Sequence, residues 1–295
     1  MNTKLKGNLL LLLTAIIWGF SFTAQSVGVD SLYPSTFNGI RTLLGAIVLI
    51  PFVIPSAKKS FKNSSVKKNT VTGGIICGII LCLAGTIQTY GLKFSGTGKA
   101  GFITALYIVF VPVCYLFAGN RLSLKIVVSV IIATFGMYLL CGGGSFHMGT
   151  GEIVLLISSL FFTAHILVID RFSPKADGVV MSCIQFAVSG TLNIIYMFIF
   201  DNPHIAPILN CWLPIVYSGA LSCGVAYTLQ IVGQKYADPT SASLIMSLES
   251  VFAAIGGWLI LNQKMSIKET AGCAIMFIAI ILIQLPSRSA KSKLQ

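Results

Sequence analysis

The chain has 295 residues, of which 55% are hydrophobic and 9% charged, and its formal net charge is +12. A soluble domain carries roughly 25% charged residues; this composition, with a mean hydropathy of +0.88, describes a polytopic membrane protein with only short loops and no room for a soluble catalytic domain. The basic residues fall between apolar runs, where they orient a membrane protein, so the positive charge does not point to nucleic acid.

Hydropathy predicts ten spans, at about 8–27, 34–55, 70–92, 98–118, 124–142, 151–170, 179–200, 212–232, 241–261 and 267–286. The first follows Lys4 and Lys6 and could pass for a signal peptide, but the spans after it make it an uncleaved helix. It carries Trp18-Gly19. The second holds Arg41, the only Arg or Lys well inside a predicted span. Arg41 lies about 10 Å from the outer end at 1.5 Å per residue, so it could pair with an acid or extend its head outward. Span three contains Gln88 and Tyr90. Gly96-Thr-Gly-Lys-Ala-Gly101 matches GxGxxG, yet it joins two membrane spans and lacks the strand that a dinucleotide site needs. It reads as a tight turn and a small-residue helix start.

Span four carries Tyr107 and an interior proline, Pro112, which would bend the helix beside a substrate path or for packing alone. His165 sits deep in span six, either as a proton relay or substrate contact or as a hydrogen-bonded interior group. Tyr227 and Gln230 lie in span eight. Span nine, from Leu244 to Leu261, is interrupted by one carboxylate, Glu249. A charge at mid-bilayer costs about 3 kcal/mol even on lenient scales, so Glu249 should face a protein interior or a wet cavity. Ala242, Ala253 and Gly256, at helical spacing from it, suit close helix packing or a pore. The cysteines lie within or at the ends of apolar runs with no CxxC pair, and read as packing residues and not as disulfides or metal ligands.

Placing the N-terminus in the cytoplasm puts fifteen Lys/Arg in inside segments, five of them between Lys58 and Lys68, and four in outside loops, Lys93, Lys99, Lys264 and Lys268. That asymmetry predicts both termini in the cytoplasm and an even number of spans. An internal repeat adds to this. GLKFSGTGKAGFITALYIVF from Gly91 aligns with GQKYADPTSASLIMSLESVF from Gly233, Gln88 answers Gln230, and Leu122-Ser-Leu-Lys125 answers Met265-Ser-Ile-Lys268. The halves, about 1–143 and 144–295, hold five spans each. An odd number makes the second copy enter the membrane in the opposite sense, an inverted-topology repeat that recurs in transporters.

With Trp18-Gly19, Arg41, Pro112, the SLESVFA stretch of span nine and Gly272 of span ten in this order, the whole chain resembles the EamA branch of the drug/metabolite transporter superfamily. Many relatives have Pro where this chain has Ser250, which implies a less kinked ninth helix here. Many also end spans four and nine in Leu-Gly-Glu, where this chain has Ala118-Gly119-Asn120 and Leu261-Asn262-Gln263, so no role is carried onto those positions. The resemblance implies a central cavity lined by spans three, four, eight and nine, and export as the commoner direction.

Glu249 could bind a substrate ammonium, carry a coupled proton, or pair with a base such as Arg41. Gln88 and Gln230 would be costly to bury unpaired and suit either the cavity wall or interhelical contact. Tyr90, Tyr107 and Tyr227 could face the cavity, though Tyr is also common at membrane interfaces. Trp18, Arg41, Pro112 and Gly256 are read as structural or gating. The expectation is therefore an all-α integral membrane transporter in the cell membrane, passing a small organic metabolite such as an amino acid by alternating access. It would need no cofactor or metal. A coupled proton or other ion is open, and a monomer is the simplest state. The competing readings are an intramembrane lipid-modifying enzyme, for which His147, His165 and His204 are scattered, and a membrane scaffold or receptor.

Overall fold

A computed structural model describes residues 3–95, 97–140, 149–262, 264 and 266–284. The expected repeat boundary at 143/144, Gly96, Cys141, His147, Gln263, Met265 and the basic tail with Arg288, Lys291 and Lys293 lie outside the described residues. Those described are helical, without a strand among them. In chain order they form α1 (Thr3–Ser31), α2 (Pro34–Ser60), α3 (Ser64–Leu92), α4 (Thr97–Thr104), α5 (Tyr107–Phe117), α6 (Leu124–Leu140), α7 (Thr150–Phe172) and α8 (Gly178–Tyr196). Then come α9 (Ile205–Asn210), α10 (Trp212–Val216), a π-helical segment (Tyr217–Tyr227), α11 (Thr228–Gln234), α12 (Pro239–Met246), α13 (Glu249–Leu261) and α14 (Ile267–Gln284).

Eight stretches are long and apolar enough to cross a bilayer: α1, α2, α3, Thr97–Phe117, Thr150–Lys175, Gly178–Asp201, Trp212–Gln234 and Pro239–Leu261. The other two predicted spans lie on α6, a shorter apolar helix, and α14, which pack against each other. Gly136 permits their close approach, because a Cβ there would meet Gly272 O at 2.9 Å. The surface is apolar where a soluble protein would be polar: Ile47, Phe52, Phe117 and Ile131 are exposed, whereas Thr14, Gln25, Asn38 and Ser158 are buried. Such a surface is stable against lipid and would be an aggregation hazard in water.

Two carboxylates, at opposite ends of the Gly178–Asp201 span, fasten it to α2. Asp201 accepts from Thr36 N (3.0 Å), from Thr36 Oγ1 (2.8 Å) and from Ser35 Oγ, supplying negative charge to the α2 N-terminus. Asp177 caps α8 through Val179 N and Val180 N, both 3.1 Å, and accepts from Ser56 Oγ of α2 at 2.6 Å. Burial pushes the Asp177 carboxyl up, but these hydrogen bonds outweigh it and hold the group below the usual carboxylate range. α2, which carries Arg41, is therefore anchored along its length.

Spans four and nine are each broken, and at equivalent places. Leu106 N bonds Ile103 O and Leu248 N bonds Ile245 O; Ile108 N bonds Ala105 O and Ser250 N bonds Ser247 O. These are i to i+3 turns of the tighter kind that tolerate a change of helix direction. In span four the freed Thr104 carbonyl accepts from Ser159 Oγ of α7 at 2.9 Å. In span nine Ser250 Oγ donates to Ser247 O at 2.8 Å. The ninth span is thus broken although a serine and not a proline stands at position 250. Pro112 lies inside α5, downstream of the break, so it is not the break point.

Candidate functional site

The breaks in spans four and nine meet at the protein centre. Tyr107 opens α5 and Glu249 opens α13, and the Tyr107 hydroxyl donates to Glu249 Oε1 at 2.8 Å. In the internal alignment these two residues are equivalent, 142 positions apart. Glu249 is 3% exposed, in the first turn of α13.

Around this pair lies a cavity of about 30 Å³ lined by Trp18, Phe22, Gln25, Arg41, Gln88, Thr104, Tyr107, Phe162, Ser222, Tyr227 and Glu249. A water needs roughly 10–15 Å³ of such space, so the volume suits water and not an organic solute, and the site is closed. A second cavity of about 10 Å³, lined by Asn38, Thr42, Gly85, Ser189, Asn193 and others, also has Arg41 and Tyr227 in its wall. The Trp18 and Tyr227 rings meet at a tilt of 57° with centroids 4.5 Å apart, while Phe186 and His165 meet Tyr227 edge-to-face at 5.5 and 5.8 Å. The site is thus an aromatic enclosure with one acid and one base in its wall.

Of the residues singled out from the sequence, Trp18, Arg41, Gln88, Tyr107, Tyr227 and Glu249 line the central cavity. Gln88 donates to Thr104 Oγ1 at 3.3 Å, next to the break in span four. The other sequence candidates stand elsewhere. Gln230 is buried outside both cavities. His165 lies behind Tyr227 with Nε2 3.0 Å from Gln185 Oε1. Tyr90 is 47% exposed and turns to Phe94. Gly256 is a packing position, where a Cβ would meet Thr23 Oγ1 at 2.8 Å. Arg41 and Glu249 share the cavity without an ion pair within 4.0 Å; Lys99 and Glu152, at 4.0 Å, form the ion pair seen among the described residues.

Sequence reasoning missed Gln25, Phe22, Phe162, Ser222 and Asn38. Asn38 was within reach, since it stands three residues before Arg41 on one helix face, and Gln25 is an amide inside an apolar run. The aromatic residues carry no signal that separates a cavity wall from a lipid face.

The EamA-like transporter family model matches residues 5–142 and again 149–285. An uncharacterized transporter of Archaeoglobus fulgidus is 28% identical over 96% of this chain and 87% of its own length. The uncharacterized transporter YoaV of Bacillus subtilis is 22% identical, over 90% of this chain and 92% of its own. A crystal structure of a protein 17% identical superposes with a TM-score of 0.76, covering 96% of this chain and 98% of the other, which extends the likeness to the fold. With matches spanning both halves, the chain is a multi-pass membrane protein and belongs to the EamA-like transporter family.

Proposed function

We propose that this protein is a secondary transporter that exports a small organic metabolite, an amino acid or related compound, across the cell membrane by alternating access. The observation that carries the reading is the Tyr107–Glu249 contact at the paired breaks of spans four and nine. Broken helices at mid-membrane present half-helix N-termini and free backbone to a substrate, a device of transporters. The shared hydrogen-bond pattern of the two breaks supports two five-span repeats, 1–143 and 144–295, of opposite topology. The Lys/Arg asymmetry supports cytoplasmic termini. The chain has no ATPase motif, so transport is facilitated or exchanges with a proton or another ion, with Glu249 as the coupling group. Ten spans enclose the site in a monomer.

Two closures of the same design support alternating access. At one end α1 lies on the turn after α11: a Cβ on Gly7 would meet Tyr236 Cβ at 2.8 Å and Gly233 O at 3.0 Å. At the opposite end α7 lies on the turn after α3: a Cβ on Gly151 would meet Ser95 Oγ at 2.8 Å and Phe94 Cβ at 2.9 Å. A wedge at either closure holds that end open. Gly151→Leu should expose a cysteine placed at Thr104 to an impermeant maleimide from outside the cell, and Gly7→Leu should expose it from the cytoplasmic face. Labelling from the same side in both variants would rule out this pair of gates.

The transport reading is tested by untargeted metabolite profiling of the medium of cells with the wild-type chain and with an empty vector. At least one amino acid or related metabolite should accumulate in the medium only with the protein; identical media would remove export. The enzyme reading needs an acidic pocket open to lipid. Among the described residues, a lateral cavity of about 520 Å³ is lined by Phe20, Thr23, Ala24, Val27, Leu213, Pro214, Tyr217 and Ile260, which include no carboxylate or histidine.

A further inference from the structure

Arg41 is a buried cation without a counter-ion. It is 6% exposed in the middle of α2, and no carboxylate among the described residues lies within 4.0 Å of it. Its Nε donates to Asn38 Oδ1 at 2.7 Å, and its guanidinium carbon sits 5.4 Å from the Phe37 ring centroid. Asn38 is itself held from the other side, its Nδ2 donating to Gly85 O at 3.1 Å and Thr89 Oγ1 at 3.0 Å. The support is therefore fixed and neutral. It uses one of five guanidinium N–H donors, and burial of an unpaired charge is costly enough that proteins rarely tolerate it without a purpose.

The space around the remaining donors is kept open. Gly85 leaves room beside Nη2, since a Cβ there would stand 3.8 Å from it. Arg41 forms part of the wall of both small cavities. In the central one a second donor, Trp18 Nε1, is buried without a partner, and on the acceptor side Gln25 Oε1 is likewise unpartnered. One cavity thus holds unused donors, an unused acceptor, and a base and an acid with no ion pair between them.

We infer that Arg41 is the substrate's anion-binding residue, taking the α-carboxylate of an amino acid while Glu249 faces its ammonium. This rests on the central cavity being the transport site. The planar fork of Arg41 matches a carboxylate in two-point contact, a geometry that lysine lacks. Arg41 therefore selects for the carboxylate, and a solute without one is rejected because it leaves a buried charge unpaired.

The test measures binding and flux separately. Purified full-length protein in lipid nanodiscs is melted with each of the common L-amino acids, with the corresponding decarboxylated amines and with the C-terminal amides. At least one amino acid should raise the Tm of the wild-type protein while its amine and amide do not. Its affinity should fall about ten- to a hundredfold in Arg41→Lys and Arg41→Gln, as loss of a charged hydrogen-bonded contact implies. An amine or amide that shifts the Tm as far as its amino acid, or no shift with any amino acid, overturns the inference. The wild-type ligand comparison stands even where Arg41→Gln does not fold. Carboxylate-dependent binding without flux in proteoliposomes keeps Arg41 as the anion site and removes the transport reading. Flux of a solute that carries no anionic group does the reverse.

Discussion

Replacing Glu249 by Gln is expected to cut substrate flux about ten- to a hundredfold, the range set by losing one charged contact, while the protein remains folded and inserted. The substitution keeps the shape of the side chain and an oxygen able to accept from the Tyr107 hydroxyl, which now bonds Glu249 Oε1 at 2.8 Å. What disappears is the ionisable carboxyl in the first turn of α13, and with it both the partner for a substrate ammonium and the group that could carry a coupled proton. Proteoliposome flux measured across a pH gradient, with thermal melting of the same preparation, checks both halves of the expectation. Wild-type flux with its pH dependence intact would take Glu249 out of the mechanism. A collapsed melting transition would instead make it a structural residue.

Gly19→Leu should have the largest effect on stability. α1 and α13 cross where Gly19 meets the turn that carries Glu249: a Cβ on Gly19 would collide with Phe252 Cβ and lie 2.8 Å from Glu249 O. Neither atom can swing away, because one is bonded directly to Cα, so that side-chain rotation does not move it, and the other is backbone itself. Overpacking of this kind costs about 1–3 kcal/mol or more, and relief requires α13 to move off α1, carrying Glu249 away from Trp18, Gln25 and Arg41. Both the melting temperature and the flux should fall. Gly98→Ala is the control, since nothing lies within 4 Å of a Cβ there. A Gly19→Leu protein as stable as Gly98→Ala would show that the helices do not cross at this point.

The likeness of the two breaks explains why one half of the site was easier to see from sequence than the other. Glu249 stands out because a lone carboxylate in an apolar run has a cost that demands a reason. Its partner Tyr107 looks like any membrane tyrosine, although the alignment of Gly91 with Gly233 already sets the two at equivalent positions. Arg41 was visible for the same reason as Glu249, and its Asn38 partner lies three residues earlier on the same helix. What holds Asn38 in turn, Gly85 and Thr89 of α3, depends on tertiary packing.

Hydropathy reports how deep a residue lies and is blind to which way it faces. Tyr90 and Tyr107 have the same chemistry, yet the first turns outward to Phe94 and the second into the cavity. His165 is deep in its span but behind Tyr227, with Gln185 as its partner. The ninth span breaks without a proline, since hydroxyls of Ser247 and Ser250 serve the carbonyls of Leu244 and Ser247; an apolar run reads alike whether the helix is continuous or broken.

Composition and spacing alone determined that the chain lies in a membrane, roughly where its apolar spans run, and that Glu249 and Arg41 needed an explanation, because desolvation of charge and backbone depends on local sequence. The tertiary structure decided which of these residues share one cavity, that the acid and the base stand apart in it, and that α1 and α7 pack closely on their neighbours at Gly7 and Gly151. Those outcomes follow from how helices far apart in the chain pack, and close packing at a glycine depends on the neighbour it admits.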